Sequence, residues 1–441
     1  MTVLPQFRRG LLLPAVFLAG LLLLSCGEEE KAAETPAATW PAGAETPGAE
    51  KVPGVTDTEI LLGTHFAMSQ SPAAAYAPAA DGIRAYFDYI NSQGGVNGRK
   101  IKFVVGDDHF NPADAVEVVR KLVEQDGIFA LVSGLGDAPH AAVWKYLEEN
   151  GVPDMWVSGG LVKWTDPVVK CRFQGNPDYD TEGRMLGKYI AENYDGKKLG
   201  LLLENDEFGA DGKAGILKGL EGSDVEIVAE ETYEPSQWDV TAQAQRLKAA
   251  SPDIVAIYAI PPPAASMVKV SREILNWDVP FVVTGVDVTD IFISLAGPEN
   301  AEGVVSVVFA TQVYHTEDPG VQRHIQIMEQ FGQGVPASNL TLYGQLLAEL
   351  TVKSLENAGR NLTRESLEDG AEAIRDWCCS VCMVPVNLGP TDHRPFEIEV
   401  YNRVENGRWV EFGEPINFES TPGKVIGCKA GGEPIYAGEG E

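Results

Sequence analysis

The sequence of 441 residues lacks the short motifs that mark common enzyme active sites. It contains no Gly-x-Ser-x-Gly turn, no His-Glu-x-x-His helix and no phosphate-binding loop that ends in Gly-Lys-Ser or Gly-Lys-Thr. Its six histidines, at positions 65, 109, 140, 315, 324 and 393, are scattered without the spacing of metal ligands. We therefore predict a protein that is not an enzyme, with no cofactor and no metal.

Basic residues are scarce. The chain has 34 Lys and Arg against 64 Asp and Glu, which gives a formal net charge of −30. Such an excess argues against binding to nucleic acid or to anionic lipid surfaces, because both are recognised through positive charge. Beyond the N-terminus, no stretch is long and apolar enough to cross a membrane.

The first 25 residues have the pattern of a secretory signal. Arg8 and Arg9 precede an apolar run over residues 11–24, and this run is too short to span a hydrocarbon core of ~30 Å. The stretch Leu-Leu-Ser-Cys that ends at Cys26 resembles a bacterial lipobox, whose cysteine is lipidated and becomes the new N-terminus. We expect an extracytoplasmic protein whose lipidated Cys26 anchors it to the membrane. The alternative is an ordinary signal peptide with an incidental cysteine.

Residues 26–56 are predicted to form a disordered tether behind the anchor. Ala, Glu, Thr and Pro dominate this segment, and Trp40 is its one aromatic residue. A segment of this composition cannot bury enough apolar surface to offset the entropy lost on ordering. The tether would let a folded domain stand clear of the bilayer.

From residue 58, short β-branched runs alternate with amphipathic helical patterns. The predicted strands are 60–62, 101–105, 129–132, 199–203, 225–228, 254–260, 281–283 and 304–309. Alternation of this kind implies parallel sheets covered by helices, and the chain is too long for one comfortable core. We predict an α/β protein with two doubly wound parallel-sheet lobes. Three helices should follow between 319 and 376, and a hairpin should turn at 405–407.

Six stretches appear in an order and spacing that we interpret together. They are residues 71–76 (SPAAAY), 90–99 (INSQGGVNGR), 107–113 (DDHFNPA), 148–153 (EENGVP), 165–167 (TDP) and 205–209 (NDEFG). Together they resemble the leucine/isoleucine/valine-binding family of type I periplasmic solute-binding proteins, from about residue 57 to 420. The resemblance implies a three-strand hinge with crossovers near 175, 308 and 393. The implied segments are lobe 1 at 57–175 plus 308–393, lobe 2 at 176–307 plus 394–420, and a tail at 421–441.

The same resemblance implies the function. A small polar solute, such as an amino acid, a related amide or an organic acid, would bind in the cleft between the lobes, where helix N-termini converge at strand ends. Binding would close the hinge. Such a protein is a monomer that delivers its ligand to ABC permease subunits in the membrane. The alternative is a ligand-sensing domain that signals to a membrane receptor.

Nine residues form the candidate ligand-binding set. They are Tyr76, Gly134, Asp137, Ser158, Gly159, Tyr179, Phe208, Tyr258 and Asp287. Most of them lie in loops that follow predicted strands, where the family binds its ligand. Two have an equally plain structural interpretation, because Tyr76 could begin a helix core and Asp137 could be a helix N-cap.

Two departures from the family pattern concern charge. Asp137 stands where the family often has a hydroxyl that holds a ligand carboxylate, and it would repel one. Amino-acid binders place a glutamate close behind the strand at 281–283, whereas here the acid is displaced by about two positions, to Asp287. Either Asp287 pairs with an ammonium group or the ligand carries none. The ligand class therefore stays open between amino acids, amides, urea-like solutes and organic acids.

Besides Cys26 the chain has five cysteines, which are Cys171, Cys378, Cys379, Cys382 and Cys428. Disulfides are the default in an oxidising compartment, and an odd number leaves one free thiol or one intermolecular bond. The pairing cannot be read from the sequence. The cluster at 378–382 favours a disulfide-stapled loop over a soft-metal site, since only His393 lies near it.

Overall fold

The computed structural model describes residues 52–417 and 425–436. The predicted signal peptide, Cys26 and most of the predicted tether therefore lie outside the described residues, as does part of the predicted tail. Among the helices of the described residues, none has the length and hydropathy needed to cross a bilayer.

Strands and helices alternate through most of the described chain. The strands are β1 Glu59–Phe66, β2 Lys100–Asp107, β3 Ala130–Val132, β4 Asp154–Val157, β5 Arg172–Gln174, β6 Lys198–Glu204, β7 Glu226–Tyr233, β8 Ile254–Tyr258, β9 Phe281–Val283, β10 Val305–Val308, β11 Ile398–Glu405, β12 Arg408–Asn417, β13 Val425–Lys429 and β14 Glu433–Tyr436. The helices are α1 Ala77–Ser92, α2 Pro112–Arg120, α3 Asp137–Ala141, α4 Trp144–Glu149, α5 Tyr179–Tyr194, α6 Glu207–Gly219, α7 Thr241–Ala250, α8 Pro261–Lys269, α9 Asp290–Ala296, α10 Pro298–Ala301, α11 Pro319–Phe331, α12 Asn339–Ala358 and α13 Arg364–Glu372.

Two sheets organise these elements. The first has the order β2-β1-β3-β4-β5, with every neighbouring pair parallel. The second has the order β12-β11-β10-β9-β8-β6-β7, parallel from β10 to β7 and antiparallel through β11 and β12. The prediction of two parallel-sheet α/β lobes is therefore confirmed. We call the first sheet with its helices lobe 1 and the second sheet with its helices lobe 2.

The chain passes between the two sheets three times. It leaves the first sheet after β5, returns after β10 to place α11–α13 against lobe 1, and then crosses again to β11. Helix α12 packs against α1 so closely that a Cβ at Gly82 would lie 2.1 Å from the carbonyl oxygen of Thr341. The lobe boundaries given above stay predictions.

Strands β4 and β5 were missed by the sequence interpretation. They are only four and three residues long, and charged residues stand at their starts, Asp154 and Arg172, so neither has a visible apolar run. The predicted hairpin is present between β11 and β12. Its turn residues Asn406 and Gly407 have φ values of 53° and 72°, as a two-residue hairpin turn requires.

The structure provides the disulfide pairing that the sequence leaves open. Cys378 pairs with Cys428 and Cys379 with Cys382, while Cys171 is free. The first bond attaches the β13–β14 hairpin to the loop that precedes β11, where the Cys428 N–H also donates to the Met383 carbonyl. Both bonds therefore strengthen the periphery of lobe 1.

Helices α5 and α6 are in direct backbone contact. Gly183 and Gly187 on α5 face Gly215 and Gly219 on α6, and a Cβ at Gly215 would lie 2.3 Å from the carbonyl oxygen of Asp180. No side chain fits between backbones at this distance, so glycine is needed here. The contact fixes the N-terminal half of α5 against the C-terminal half of α6.

We expect Gly215→Ala to lower the free energy of unfolding by on the order of 1–3 kcal/mol, the usual cost of overpacking. The better helix propensity of alanine gives back up to about 1 kcal/mol, but the clash is with rigid backbone. Urea unfolding measures the effect. The neighbouring exposed Ala214 supplies the control, since Ala214→Val should change stability by only about 0.5 kcal/mol. If Gly215→Ala and Ala214→Val unfolded at the same urea concentration, the close backbone contact at Gly215 would be contradicted.

Candidate functional site

A cavity of about 130 Å³ lies between the two lobes, at the carboxyl ends of the strands in both sheets. Residues at or just after the ends of β3, β4 and β5 form the wall on the lobe 1 side and at the first crossover. Residues at or just after the ends of β6, β8, β9 and β10 form the wall on the lobe 2 side. The lining includes Tyr76, Phe110, Asp137, Ser158, Asn176, Tyr179, Glu182, Glu204, Asp206, Phe208, Ile260, Val286, Phe309, Leu340 and Tyr343.

Asp137 is the acidic residue of the lobe 1 wall. It is the first residue of α3, whose N-cap is Gly136, so the N-cap interpretation of Asp137 is wrong. Its two carboxyl oxygens accept hydrogen bonds from Trp164 Nε1 at 2.8 Å and from the Tyr179 hydroxyl at 2.9 Å. Burial raises the pKa of Asp137 from 3.8 to about 7, although both hydrogen bonds oppose the rise.

Glu204 and Asp206 form the acidic part of the lobe 2 wall. Glu204 ends β6, and Asp206 is the N-cap of α6, where it accepts from the Gly209 N–H. Their side chains hydrogen-bond to each other, and the Tyr233 hydroxyl donates to Glu204. Burial, with the negative charge of Asp206 adding to it, raises the pKa of Glu204 to about 8. Near neutral pH the pair therefore holds one proton between two carboxyl groups.

Glu182 is a third acidic position on lobe 2, one turn into α5. It accepts hydrogen bonds from the Tyr258 hydroxyl at 2.6 Å and from Thr284 Oγ1 at 2.5 Å. Burial raises the pKa of this carboxyl group, and the hydrogen bonds oppose the rise. Its oxygens are thus fixed by lobe 2 itself.

Aromatic rings cover much of the rest of the lining. The Tyr76 hydroxyl of lobe 1 donates to the Val286 carbonyl of lobe 2 at 3.4 Å, and thereby crosses the cleft. Tyr343 hydrogen-bonds to Ser158 Oγ at 3.0 Å and to Asn176. The rings of Tyr179 and Phe208 pack edge to face with centroids 4.7 Å apart.

The charge of the lining has one sign. Four carboxyl side chains reach the cavity, and no Lys, Arg or His does so among the described residues. The four carboxyl groups belong to Asp137, Glu182, Glu204 and Asp206. The cavity can therefore accept hydrogen bonds and hold positive charge, but it offers no cationic side chain to an anion.

The nine predicted residues divide into two groups. Those that line the cavity are Tyr76, Asp137, Ser158, Tyr179 and Phe208. The other four, Gly134, Gly159, Tyr258 and Asp287, lie behind the lining and not in it. Their assignment as ligand contacts stays a prediction. Gly134, Gly159 and Tyr258 have a packing role in the structure, whereas Asp287 is a buried carboxyl group.

These packing roles are specific. A Cβ at Gly134 would lie 2.6 Å from His65 Nε2, and one at Gly159 would lie 2.3 Å from Asp137 Oδ1. Tyr258 is fully buried below Glu182, to which it donates. Asp287 is 0% exposed, neither of its carboxyl oxygens has a hydrogen-bond partner among the described residues, and burial raises its pKa well above the ordinary value.

Several lining residues were missed by the sequence interpretation. Glu204 precedes the 205–209 stretch and Asp206 lies within it, two residues before Phe208, and Glu182 lies one turn after Tyr179. Their placement directly at a strand end or a helix start was an available signal. Tyr343 had none, because it lies in the middle of the α12 apolar pattern.

Comparison with known proteins gives a consistent picture. A family described as "Periplasmic binding protein" matches residues 60–398. The amino acid binding protein of Pseudomonas aeruginosa is 25% identical over 275 residues, which cover 62% of this chain and 71% of that protein.

Solved structures share the fold at lower identity. A substrate-binding periplasmic protein from Ralstonia solanacearum superposes with a TM-score of 0.75 and 20% identity, over 80% of this chain and 100% of that one. The fatty acid ABC transporter substrate-binding protein from Thermomonospora curvata gives a TM-score of 0.73 and 20% identity, over 86% and 98%. These likenesses concern the fold alone.

The raised pKa of Asp137 predicts how stability depends on pH. The folded state binds this proton up to about pH 7 and the unfolded state only to about pH 4, so the contribution of Asp137 to stability is lost as pH rises through that window. Each pKa unit corresponds to about 1.4 kcal/mol. The quantity to measure is the change in the free energy of unfolding in urea between pH 5 and pH 8. Asp137→Asn removes the destabilising ionisation, so its change from pH 5 to pH 8 should be more favourable than that of the unsubstituted protein.

The comparison between variants is needed because His65, His324 and His393 act in the opposite direction. Burial lowers the pKa of all three, so their contribution grows as pH rises. Asp224→Asn, at an exposed position, is the matched control and should keep the original pH dependence. An unchanged dependence in Asp137→Asn would contradict the assignment.

Proposed function

The chain belongs to the periplasmic binding protein family, and from this membership we propose that it is an extracytoplasmic solute-binding protein that serves an ABC importer. It captures a small polar solute in the cavity between the lobes and delivers it to permease subunits in the membrane. The observation that carries the proposal is the cavity itself, which is lined from the strand ends of both lobes and bounded by the crossovers.

Reversible closure of the cleft is supported by the contacts that cross it. Tyr76 donates to Val286, the Val162 N–H donates to Asp211, and Lys163 pairs with Glu207. The Tyr179 hydroxyl also donates to Asp137 across the cleft, and Leu135 of lobe 1 belongs to the same buried apolar cluster as Phe208 of lobe 2. These contacts describe a closed cleft, and its opening on release of the solute would be a hinge motion that breaks them.

Simple capture is favoured over catalysis by the state of the acidic side chains. Asp137 and Glu182 are held by hydrogen bonds from residues of the protein itself, and the lining formed by the described residues contains no Ser–His or Cys–His pair. We expect the ligand to leave chemically unchanged.

The delivery step is tested by affinity capture from membranes of the producing cells after mild cross-linking. We expect the tagged protein to recover the permease subunits of an ABC importer. Recovery of a histidine kinase or another receptor in their place would favour the sensing alternative and contradict delivery. A tagged protein with Glu221→Gln and Asp224→Asn, two exposed positions away from the cleft lining, serves as the control and should recover the same subunits.

The lipid anchor is a separate part of the proposal. Cys26→Ser should move the protein from the membrane fraction to the soluble fraction and abolish its labelling by radioactive palmitate, because the lipidated thiol is gone. Cys171→Ser is the matched control, since Cys171 is free of disulfides, and should leave fractionation and labelling unchanged. Membrane association that survives Cys26→Ser would show that another feature holds the protein there.

A further inference from the structure

The loops that would hold a carboxylate ligand are unsuited to one in this protein. At the end of β3 stands Asp137, whose two carboxyl oxygens both accept hydrogen bonds and which carries no cationic partner. At the end of β4 the Ser158 hydroxyl is already shared with Ser133 Oγ at 2.6 Å and Tyr343 at 3.0 Å. A ligand carboxylate placed here would lie against the Asp137 carboxyl group. Once Asp137 is ionised the two negative charges repel each other, and no Lys, Arg or His among the described lining residues compensates them.

The acidic groups face each other across the cleft. Asp137 belongs to lobe 1, and Glu204 with Asp206 belongs to lobe 2. All three carboxyl groups line the same cavity, and the charge of Asp206 adds to the raised pKa of Asp137 as the charge of Asp137 adds to that of Glu204. Closing the lobes therefore brings negative charges together. A positive charge between them removes this cost.

The rest of the lining fits an apolar body that carries the positive charge. Aromatic rings approach the cavity from both lobes, and their faces attract cations as well as apolar groups. The aromatic and aliphatic side chains concerned are those of Tyr76, Phe110, Phe208, Ile260, Phe309 and Leu340. Asp287 adds buried acidity behind the turn that contains Val286.

We propose that the solute captured in this cavity is an organic cation, a protonated amine on a compact apolar body without a carboxylate group. This inference rests on the proposed function and narrows it. The ammonium group lies between Asp137 of lobe 1 and the Glu204–Asp206 pair of lobe 2, and the apolar body lies against the aromatic rings. An amino-acid zwitterion binds more weakly, because its carboxylate would lie against the Asp137 carboxyl group with no cationic side chain in the described lining.

Proton release accompanies binding in this arrangement. A cation favours the ionised carboxyl groups, so the proton shared by Glu204 and Asp206, or the one on Asp137, leaves as the cation enters. The other titratable groups around them are Tyr76, Tyr179, Tyr233, Glu182 and Asp287. Burial raises the pKa of each and so favours its neutral form, and none of these side chains can become positively charged. Affinity for a cation should therefore rise with pH, by up to about tenfold per pH unit for each proton released.

Isothermal titration calorimetry of the purified full chain in mild detergent, at pH 8, tests the ligand class with one isobutyl side chain attached to a cationic, a zwitterionic, a neutral and an anionic group. The probes are 3-methylbutylamine, leucine, 4-methylpentanamide and 4-methylpentanoate. We expect the amine to bind at least tenfold more tightly than each of the others, and its affinity to fall when the pH is lowered to 6. Phenethylamine beside phenylalanine repeats the comparison with an aromatic body.

The outcomes separate the two levels of the proposal. Preferred binding of leucine, of the amide or of the carboxylate overturns the cation inference and leaves solute binding intact. Failure of both amines to bind at millimolar concentration contradicts the inference, whereas the proposed function is tested separately by the recovery of permease subunits from membranes. Amine affinity that stays constant or falls between pH 6 and pH 8 also overturns the inference.

Two isosteric variants test whether the ammonium group lies between Asp137 and Glu204. Asp137→Asn and Glu204→Gln should each weaken amine binding at least tenfold and reduce its pH dependence, while Asp224→Asn and Glu221→Gln make the same changes at exposed positions and should leave binding as it was. Thermal unfolding establishes that each variant is folded. Unchanged amine affinity in both folded cleft variants would contradict the placement, and the pH series of the unsubstituted protein tests the inference even if either variant fails to fold.

Discussion

Direct contact between the backbones of α5 and α6 is the constraint on which the lobe 2 side of the cleft depends. The glycines at 183, 187, 215 and 219 let the two helices approach without side chains between them. Tyr179 and Glu182 stand in the first turns of α5, and Asp206 and Phe208 stand at the start of α6. Because the helices are fixed to each other, these four side chains move as one surface. The partners of that surface, Asp137 and Tyr76, arrive from lobe 1.

A second feature of the structure is the burial of carboxyl groups around the cleft. Acidic groups are costly to bury, and here hydrogen bonds from Trp164, Tyr179, Tyr258 and Tyr233 stabilise them only in part. The part of the burial cost that these hydrogen bonds do not offset raises the pKa of Asp137 and Glu204, because a protonated carboxyl group needs no counter-ion. The same groups that weaken the unliganded fold as they ionise are those that a positively charged solute would stabilise. Stability and selectivity thus share one origin.

Much of the fold could be predicted from the sequence because short stretches of the chain carry the pattern of the element that they form. Runs such as 199–203 and 254–260 and the turn at 406–407 carry their own periodicity or turn chemistry, and the structure contains them. The site could be predicted only in part. Tyr76, Asp137 and Phe208 follow strand ends and line the cavity. Position after a strand end does not say whether a residue reaches the cleft, and Gly134 and Asp287 are not in the lining. Tyr343 reaches the cavity through contacts between distant segments, which no local pattern records.

The return of the chain to lobe 1 has a consequence for synthesis and engineering. Helix α12 begins at Asn339 and packs on α1, which begins at Ala77, so lobe 1 is incomplete until most of the polypeptide exists. Lobe 2 is incomplete in turn without β11 and β12. A nascent chain therefore exposes the apolar faces of α1 and of the first sheet for a long time, which invites aggregation and calls for chaperone protection. Neither lobe is a transplantable module, and fusions or truncations are best confined to the two ends of the polypeptide.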